Sequence, residues 1–531
     1  MADRRHPLIR LAALLALMSL VVAACSTPGT TTPAAPTAAG TPTTAPTAAA
    51  PAGPTGTLTV AVRGDIGNSH PYLGYDIVSI SYKHNVFDNL VEWDDAGKIV
   101  PGLAESWEVD GLNITFDLRK GIRFHNGDEF TAEDVKFSIE HMKDPDLASG
   151  SASNVAAIEE VRVVDANTAQ IVLAQVDAQI FDKLANHVVM LPSRHIQSAG
   201  VDAFTAKPIG TGPFKFVSYT ADDRVVMEAN EDYWEGSPKG KPNVKELVFR
   251  AIPTAATRIA ELRAGAVDIV QDLPPDQVEP LKSAGFQVVE NKSPVYVWGF
   301  FNTTSEAGAI LQDIRVRQAM NHAVDTETII ETVLGGHARQ LAGGVTDLTT
   351  GYSASLQPFA YDPDRAKQLL TEAGFPNGFE LEADISASQR PDVAQAVIAQ
   401  LGEVGIRVTL NPLPTDVYND RWISKQLSPI YFVTWNTFTH PGLLDLLAGC
   451  GKFLSSFCSE EAQPFLDQGG ATLDESAQAT AYTEAIEVFA RDPFGLYLYA
   501  SNALYGLSSK VQGWKPHGIT VLLGTNATKT E

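Results

Sequence analysis

Apolar and polar positions alternate cleanly over Thr57-Leu58-Thr59-Val60-Ala61-Val62, which predicts a first β-strand. Asn113-Ile114-Thr115-Phe116-Asp117-Leu118 repeats that two-residue period. The runs Val161–Val164 and Ala169–Leu173 flank Asp165-Ala166-Asn167, a hairpin signal. Helical spacing interrupts these strands. Thr131 is a good N-cap with Asp134 three residues on, and Val135, Ile139 and Met142 then share a face. Thr254–Ala264 reads as a helix stopped by Gly265, with Val267–Val270 returning to strand. Arg315–Ala323 and Thr326–Leu334 are two further helical runs, and Asp325 caps the second. Asp362 caps a helix with Pro363 in its first turn and Leu369 and Leu370 facing inward, and Gly374 and Pro376 end it. Helices and strands mix without strict alternation and without an internal repeat. The fold expected is α/β, in lobes rather than a barrel.

The pattern fails at the N-terminus. MADRRHPLIR carries Arg4, Arg5 and Arg10, and the apolar run Leu11–Ala24 is too short to span a bilayer, which takes roughly 20 residues. A basic start, a short apolar core and small residues before a cut site describe a secretory signal over residues 1–24. Val22-Ala23-Ala24-Cys25 resembles the lipobox of bacterial lipoproteins, in which the cysteine is lipidated and becomes the new N-terminus. Stable attachment takes about two acyl chains, so the resemblance implies a chain moored at Cys25 without spanning the membrane. Residues 26–56 are almost entirely Thr, Pro, Ala and Gly, a tract that cannot bury enough apolar surface to order itself. Fully stretched it would reach on the order of 90 Å. It reads as a linker.

About 475 residues follow Gly56, enough for two or three lobes. The formal charge is −24. Loss of the signal segment, with three Arg and Asp3, takes it to about −26. Such acidity argues against nucleic acid as a partner. Cys450 and Cys458, eight apart in an exported chain, read as a disulfide closing a small loop, and separated cysteines without a nearby His argue against zinc. Signatures of catalysis are missing. No Gly-Lys is followed by Ser or Thr, no His precedes a Glu, and there is no Cys-x-x-Cys and no Gly-x-Ser-x-Gly elbow. This lowers the prior for an enzyme, although carboxylate pairs leave no local signature.

Several stretches resemble one family. Pro101-Gly102-Leu103-Ala104-Glu105-Ser106-Trp107-Glu108-Val109 leads through Ile114–Leu118 into Arg119-Lys120-Gly121-Ile122-Arg123-Phe124-His125-Asn126-Gly127 and Phe130-Thr131-Ala132-Glu133-Asp134-Val135. Gly210-Thr211-Gly212-Pro213-Phe214, Asn230-Glu231-Asp232-Tyr233-Trp234 and Gly265-Ala266-Val267-Asp268-Ile269 follow. The longest match runs from Asp313-Ile314-Arg315 to Ala323-Val324-Asp325, and Tyr361-Asp362-Pro363 and Ala373–Phe379 complete the set. Together they resemble the family 5 extracellular solute-binding proteins, the dipeptide, oligopeptide and nickel binders of ABC importers. Most of these residues read as turn glycines, caps and core aromatics, which mark the fold rather than the ligand.

The resemblance implies a two-lobed, periplasmic-binding-protein-like (class II) fold with an additional inserted domain. Mapped here, the first lobe takes 57–90, 205–293 and 491–531, the inserted domain 91–204, and the second lobe 294–490. It implies a monomer that encloses a short peptide or small polar solute when the lobes close, with no cofactor. The partner is an ABC permease with its ATPase subunits at the outer face of the cytoplasmic membrane. In peptide-binding relatives a carboxylate shortly after a tryptophan pairs with the ligand ammonium. Trp435 matches, but Asn436-Thr437-Phe438-Thr439-His440-Pro441-Gly442 brings no acid before Asp445. Arg390 lies near where relatives hold the ligand carboxylate, and a guanidinium does so in a two-bond fork. Trp435, Asn436 and Thr437 are candidate pocket residues, as amphipathic aromatics suit wet clefts. Tyr296 and Trp298, on a strand with Phe301 and Asn302, and Asn68 and His70, in the loop after the first strand, are further candidates. His70 and His440 are lone histidines and are not read as metal ligands. The alternatives are a receptor for a sugar, opine or chelated metal, an extracellular hydrolase, and a sensory partner of a signalling protein.

Overall fold

The computed structural model describes residues 53–74, 76–435, 440–517 and 520–530. The signal segment, Cys25 and the linker to residue 52 lie outside the described residues, as do Asn436 and Thr437. No described helix is long and apolar enough to cross a membrane.

Local signals in the chain become elements close to where they are expected. Thr57–Val62 is a strand. The hairpin forms between Ile158–Asp165 and Thr168–Leu173, its turn closed by the Asn167 N–H donating to Asp165 Oδ1 at 2.8 Å. Helix Ala132–Lys143 starts at Thr131, whose N–H donates to Asp134 Oδ2 at 2.8 Å. Asp325 and Asp362 cap Thr326–Val333 and Pro363–Glu372 by accepting from Thr328 N–H at 2.9 Å and Arg365 N–H at 2.8 Å. Each such cap stabilises its helix by ~1 kcal/mol.

Among the described residues, eleven strands join in one sheet. From one edge its path runs through Ile406–Leu413, Phe379–Ser386, Ile430–Trp435, Gln287–Phe301 and Gly495–Leu507. It continues through Ile269–Val270, Thr57–Val62, Glu246–Ala251, Arg224–Ala229 and Phe214–Thr220. Two strands hold it together. Gln287–Phe301 and Gly495–Leu507, of 15 and 13 residues, pair antiparallel along their length. Their register shifts between Lys292 and Val295, at Pro294, and again between Val297 and Trp298. Proline has no N–H for the ladder, so the pairing is interrupted there.

Both faces of each half of the sheet are covered, so strand alternation sends side chains into different cores. Leu58, Val60 and Val62 enter one cluster and Ala61 another. Val297 and Phe301 enter a third, while Tyr296, Trp298 and Phe300 enter a fourth. A separate antiparallel sheet, ordered Ala104–Asp110, Asn113–Leu118, Thr168–Leu173, Ile158–Asp165, shares the core of Leu58 and Val60. Cys450 and Cys458 are joined in a disulfide.

The family-like motifs explain themselves as packing. Gly210 and Gly212 lie against the backbone of Val86, where a Cβ would collide with the Val86 carbonyl group. The Gly212 N–H donates to Val86 O at 3.0 Å. Next to them, buried Asp88 accepts from Thr211 Oγ1 at 3.0 Å, Tyr233 OH at 2.8 Å and Trp234 Nε1 at 3.1 Å. Lys239 Nζ lies 3.1 Å from Asp88 Oδ1 and 2.9 Å from Glu92 Oε1. Buried charges persist when paired and hydrogen-bonded in this way.

Candidate functional site

Parallel strands end together, and open α/β sheets bind ligands beyond those carboxyl ends. Phe379–Ser386 runs parallel to Ile406–Leu413 and Ile430–Trp435, and Thr57–Val62 runs parallel to Glu246–Ala251 and Ile269–Val270. The residues just past these ends meet over the register break of the two long strands. A cavity of about 450 Å³ opens there, lined by Arg63, Ser388, Arg390, Trp422, Thr434 and Tyr499 among others. A second cavity of about 160 Å³ adjoins it and shares Arg63, Val295 and Ser501. Two depressions of about 420 and 430 Å³ lie off this crossing, along helix Ala255–Arg263 and beside Asp347–Thr350.

The charged groups come from the turns that follow the strands. Arg390 immediately precedes helix Pro391–Glu403, and its Nε donates to Asp392 Oδ1 at 3.1 Å. That bond, followed by the charge of Asp392, holds the Arg390 guanidinium above its ordinary value. Arg63 follows the first strand, and its Nη1 lies 3.6 Å from Asp272 Oδ2. Asp272 has φ of 52°, the left-handed region that Asp tolerates better than most residues. Burial pushes the Tyr499 phenol up to about 12, so it stands on the wall as a neutral hydroxyl at pH 7.

The structure brings few of the sequence candidates to this wall. Arg390 lines it. Trp435 is half-buried one ring away, packed edge to face on Trp422 with centroids 6.1 Å apart, and Trp422 is the indole on the wall. Tyr296 and Trp298 are placed in the core instead. Tyr296 OH bonds Thr346 Oγ1 at 2.9 Å and Thr349 Oγ1 at 2.6 Å, and Trp298 Nε1 donates to Gly344 O at 2.8 Å. Asn68 and His70 lie away from both cavities. Asn68 Oδ1 accepts the His70 N–H at 2.8 Å, and buried His70 packs against Tyr72 and Phe204 with its Nε2 3.3 Å from His141 Nε2.

His440 Nδ1 accepts from Gly442 N–H at 3.0 Å, and Nε2 bonds Gln478 Oε1 at 3.2 Å. Among the described residues no three His, Cys, Asp or Glu side chains are placed to share a metal. Asp445, the first acid after Trp435, is engaged by Lys452 Nζ at 2.7 Å. Sequence reading missed Arg63, Trp422 and Tyr499. Arg63 was findable as the residue after a strand's carboxyl end. Trp422 and Tyr499 carried no such signal.

Residues 98–453 match the family described as bacterial extracellular solute-binding proteins, family 5 Middle. The chain is 29% identical over 486 residues to Heme-binding protein A of Haemophilus influenzae, covering 83% of this chain and 86% of that one. It is 30% identical over 438 residues to Di/tripeptide-binding protein 2 of Pseudomonas aeruginosa, covering 74% and 79%. Among solved structures it is similar to the ABC transporter-associated periplasmic binding protein DppA from Helicobacter pylori in complex with peptide STSA. The TM-score is 0.72 and the identity 26%, over 90% of this chain and 98% of that one. A sheet crossed by two long strands, a cavity at converging strand ends and a match over two thirds of the sequence agree: the chain belongs to the family 5 bacterial extracellular solute-binding proteins.

Proposed function

We propose that this protein captures a short peptide or a comparable small polar solute at the strand crossing and delivers it to the permease of an ABC importer. The observation that carries this is the cavity of about 450 Å³ at the ends of two sets of parallel strands, with wall residues from both sides of the crossing. Residues 57–90, 205–293 and 491–531 form the first lobe, 294–490 the second and 91–204 the inserted domain. Strands Gln287–Phe301 and Gly495–Leu507 serve both lobes, and their register break at Pro294 is the hinge. Closure is a population shift, because a solute touching both walls stabilises the closed form. Arg390 binds a carboxylate of the solute, and Trp422, backed by Trp435, stacks on its body. Tyr296 and Trp298 pack behind the wall on the second lobe, and Asn68 and His70 order the loop after the first strand away from the cavity. The family is a non-catalytic, solute-binding one, and we read no reaction into the cavity. A non-peptide solute is the second reading, favoured by the stretch Asn436–Leu444, which holds no acid.

The test is the fate of the solute. Natively purified protein yields one unchanged small molecule per chain by mass spectrometry, and X-ray scattering shows the protein contracting when that molecule is returned. Trp422→Ala weakens its binding by about 1 kcal/mol or more, the order of an aromatic contact. Turnover of the molecule, or full affinity in Trp422→Ala, contradicts the proposal. Cys25 is the anchor in this reading. Cys25→Ala moves the protein from the membrane fraction to the soluble fraction, and persistence in the membrane fraction excludes a lipid at that residue.

A further inference from the structure

Two guanidiniums and no carboxylate line the main cavity among the described residues, and the sequence Asn436-Thr437-Phe438-Thr439 after Trp435 holds no acid. Three acids outside the lining have partners of their own. Asp392 holds Arg390 through Nε at 3.1 Å, and Asp445 holds Lys452 at 2.7 Å. Asp276 accepts the Gln277 side-chain amide at 2.9 Å, and its charge acts on Arg390. Asp272 stands 3.6 Å from Arg63, too far for a hydrogen bond, and the Arg63 guanidinium makes none among the described residues. Arg63 lines both adjoining cavities with a fork of five donors.

We infer that the solute is an anion without a free ammonium group: its carboxylate is taken by Arg63 together with Arg390, and its nitrogen is acylated. The chemical class is N-acylated amino acids and N-blocked short peptides. An ammonium in this cavity would face two like charges, and no carboxylate lines the cavity among the described residues. The inference rests on the reading of this cavity as the solute site and narrows what it accepts.

The experiment offers the full-length protein, dialysed free of bound solute, three randomised tripeptide pools: free, N-acetylated, and N-acetylated with an amidated C-terminus. Retention is read by native mass spectrometry. The N-acetylated acids are retained at least tenfold over the free peptides, and C-terminal amidation abolishes retention. Arg63→Ala lowers retention at least tenfold, Arg63→Lys lowers it less because charge remains without the fork, and Asp276→Asn leaves it unchanged. Equal or better retention of the free pool, tolerance of amidation, or indifference to Arg63→Ala overturns the inference. So does loss of binding in Asp276→Asn, which would assign an ammonium to that acid. Retention of no pool also overturns it. The functional reading then still stands if Trp422→Ala releases the molecule that co-purifies with the unaltered protein.

Discussion

Lys239→Met lowers folding stability by about 3–5 kcal/mol at pH 7, the cost of removing one partner from a buried ion pair. Lys239 is buried, and its Nζ donates to Phe87 O at 2.8 Å besides contacting Asp88 at 3.1 Å and Glu92 at 2.9 Å. Burial alone would raise the Glu92 carboxyl, but the charge of Lys239, with help from His84, outweighs it and holds Glu92 at about 2. Without the ammonium, two carboxylates stay behind in a dry site. Thr211, Tyr233 and Trp234 still donate to Asp88, whereas Glu92 keeps the Asn89 N–H at 3.0 Å and the His84 ring at 3.7 Å, so Glu92 bears the larger penalty. Its folded value lies below the ordinary carboxylate range, so the stability it contributes is complete above about pH 4.5 and is lost as pH falls toward 2. In Lys239→Met that contribution is gone at pH 7. The variant therefore approaches the unaltered protein as the medium is acidified. The shift of the urea transition measures this, and an unchanged midpoint at pH 7 would show that the pair is not formed.

The protein also loses about 4 kcal/mol of stability between pH 7.5 and pH 5 through two histidines, at ~1.4 kcal/mol per pH unit for each. Burial, then the neighbouring His141, pushes His70 down to about 3. Burial pushes His125 down to about 4, against the pull of its bond to Gly212. Their hydrogen bonds need the neutral ring. His70 Nδ1 accepts from Tyr72 N–H at 3.2 Å. His125 Nδ1 accepts from Gly210 N–H at 3.3 Å while Nε2 donates to Gly212 O at 2.9 Å. A second proton would abolish either acceptor. Unfolded histidine takes up its proton near pH 6.5, whereas the folded rings do not until far lower. Stability from these residues is thus present above 6.5 and falls steadily as pH drops toward 4. Urea midpoints measured at pH 7.5, 6.25 and 5 read the slope directly, and a flat profile would contradict buried neutral rings.

Much of the local structure was legible in the chain. Period-two alternation located Thr57–Val62, and a cap with a proline behind it located Pro363–Glu372, because such signals lie within one turn or one strand. The motif around Gly210–Phe214 and Asn230–Trp234 marked a family without revealing its own task. Only the fold shows that those residues surround Val86 and Asp88, more than 100 positions earlier in the chain. Lys239, in a stretch of ordinary surface composition, gave no sign of being buried.

The site was far less legible, and the reason is physical. Alternation along Gln287–Phe301 says that Tyr296 and Trp298 share a face, but both faces of this sheet are covered, so the pattern does not separate core from cleft. Trp435 and Trp422 are both aromatic and half-buried, and their edge-to-face packing leaves Trp422 on the wall. By itself the sequence determined the α/β character, the helix caps, the family and the absence of an acid after Trp435. The tertiary structure alone decided that Arg63 and Arg390 share one cavity. Charge in a cavity is set by what strand ends converge on, and convergence is a property of the sheet rather than of any window of the chain.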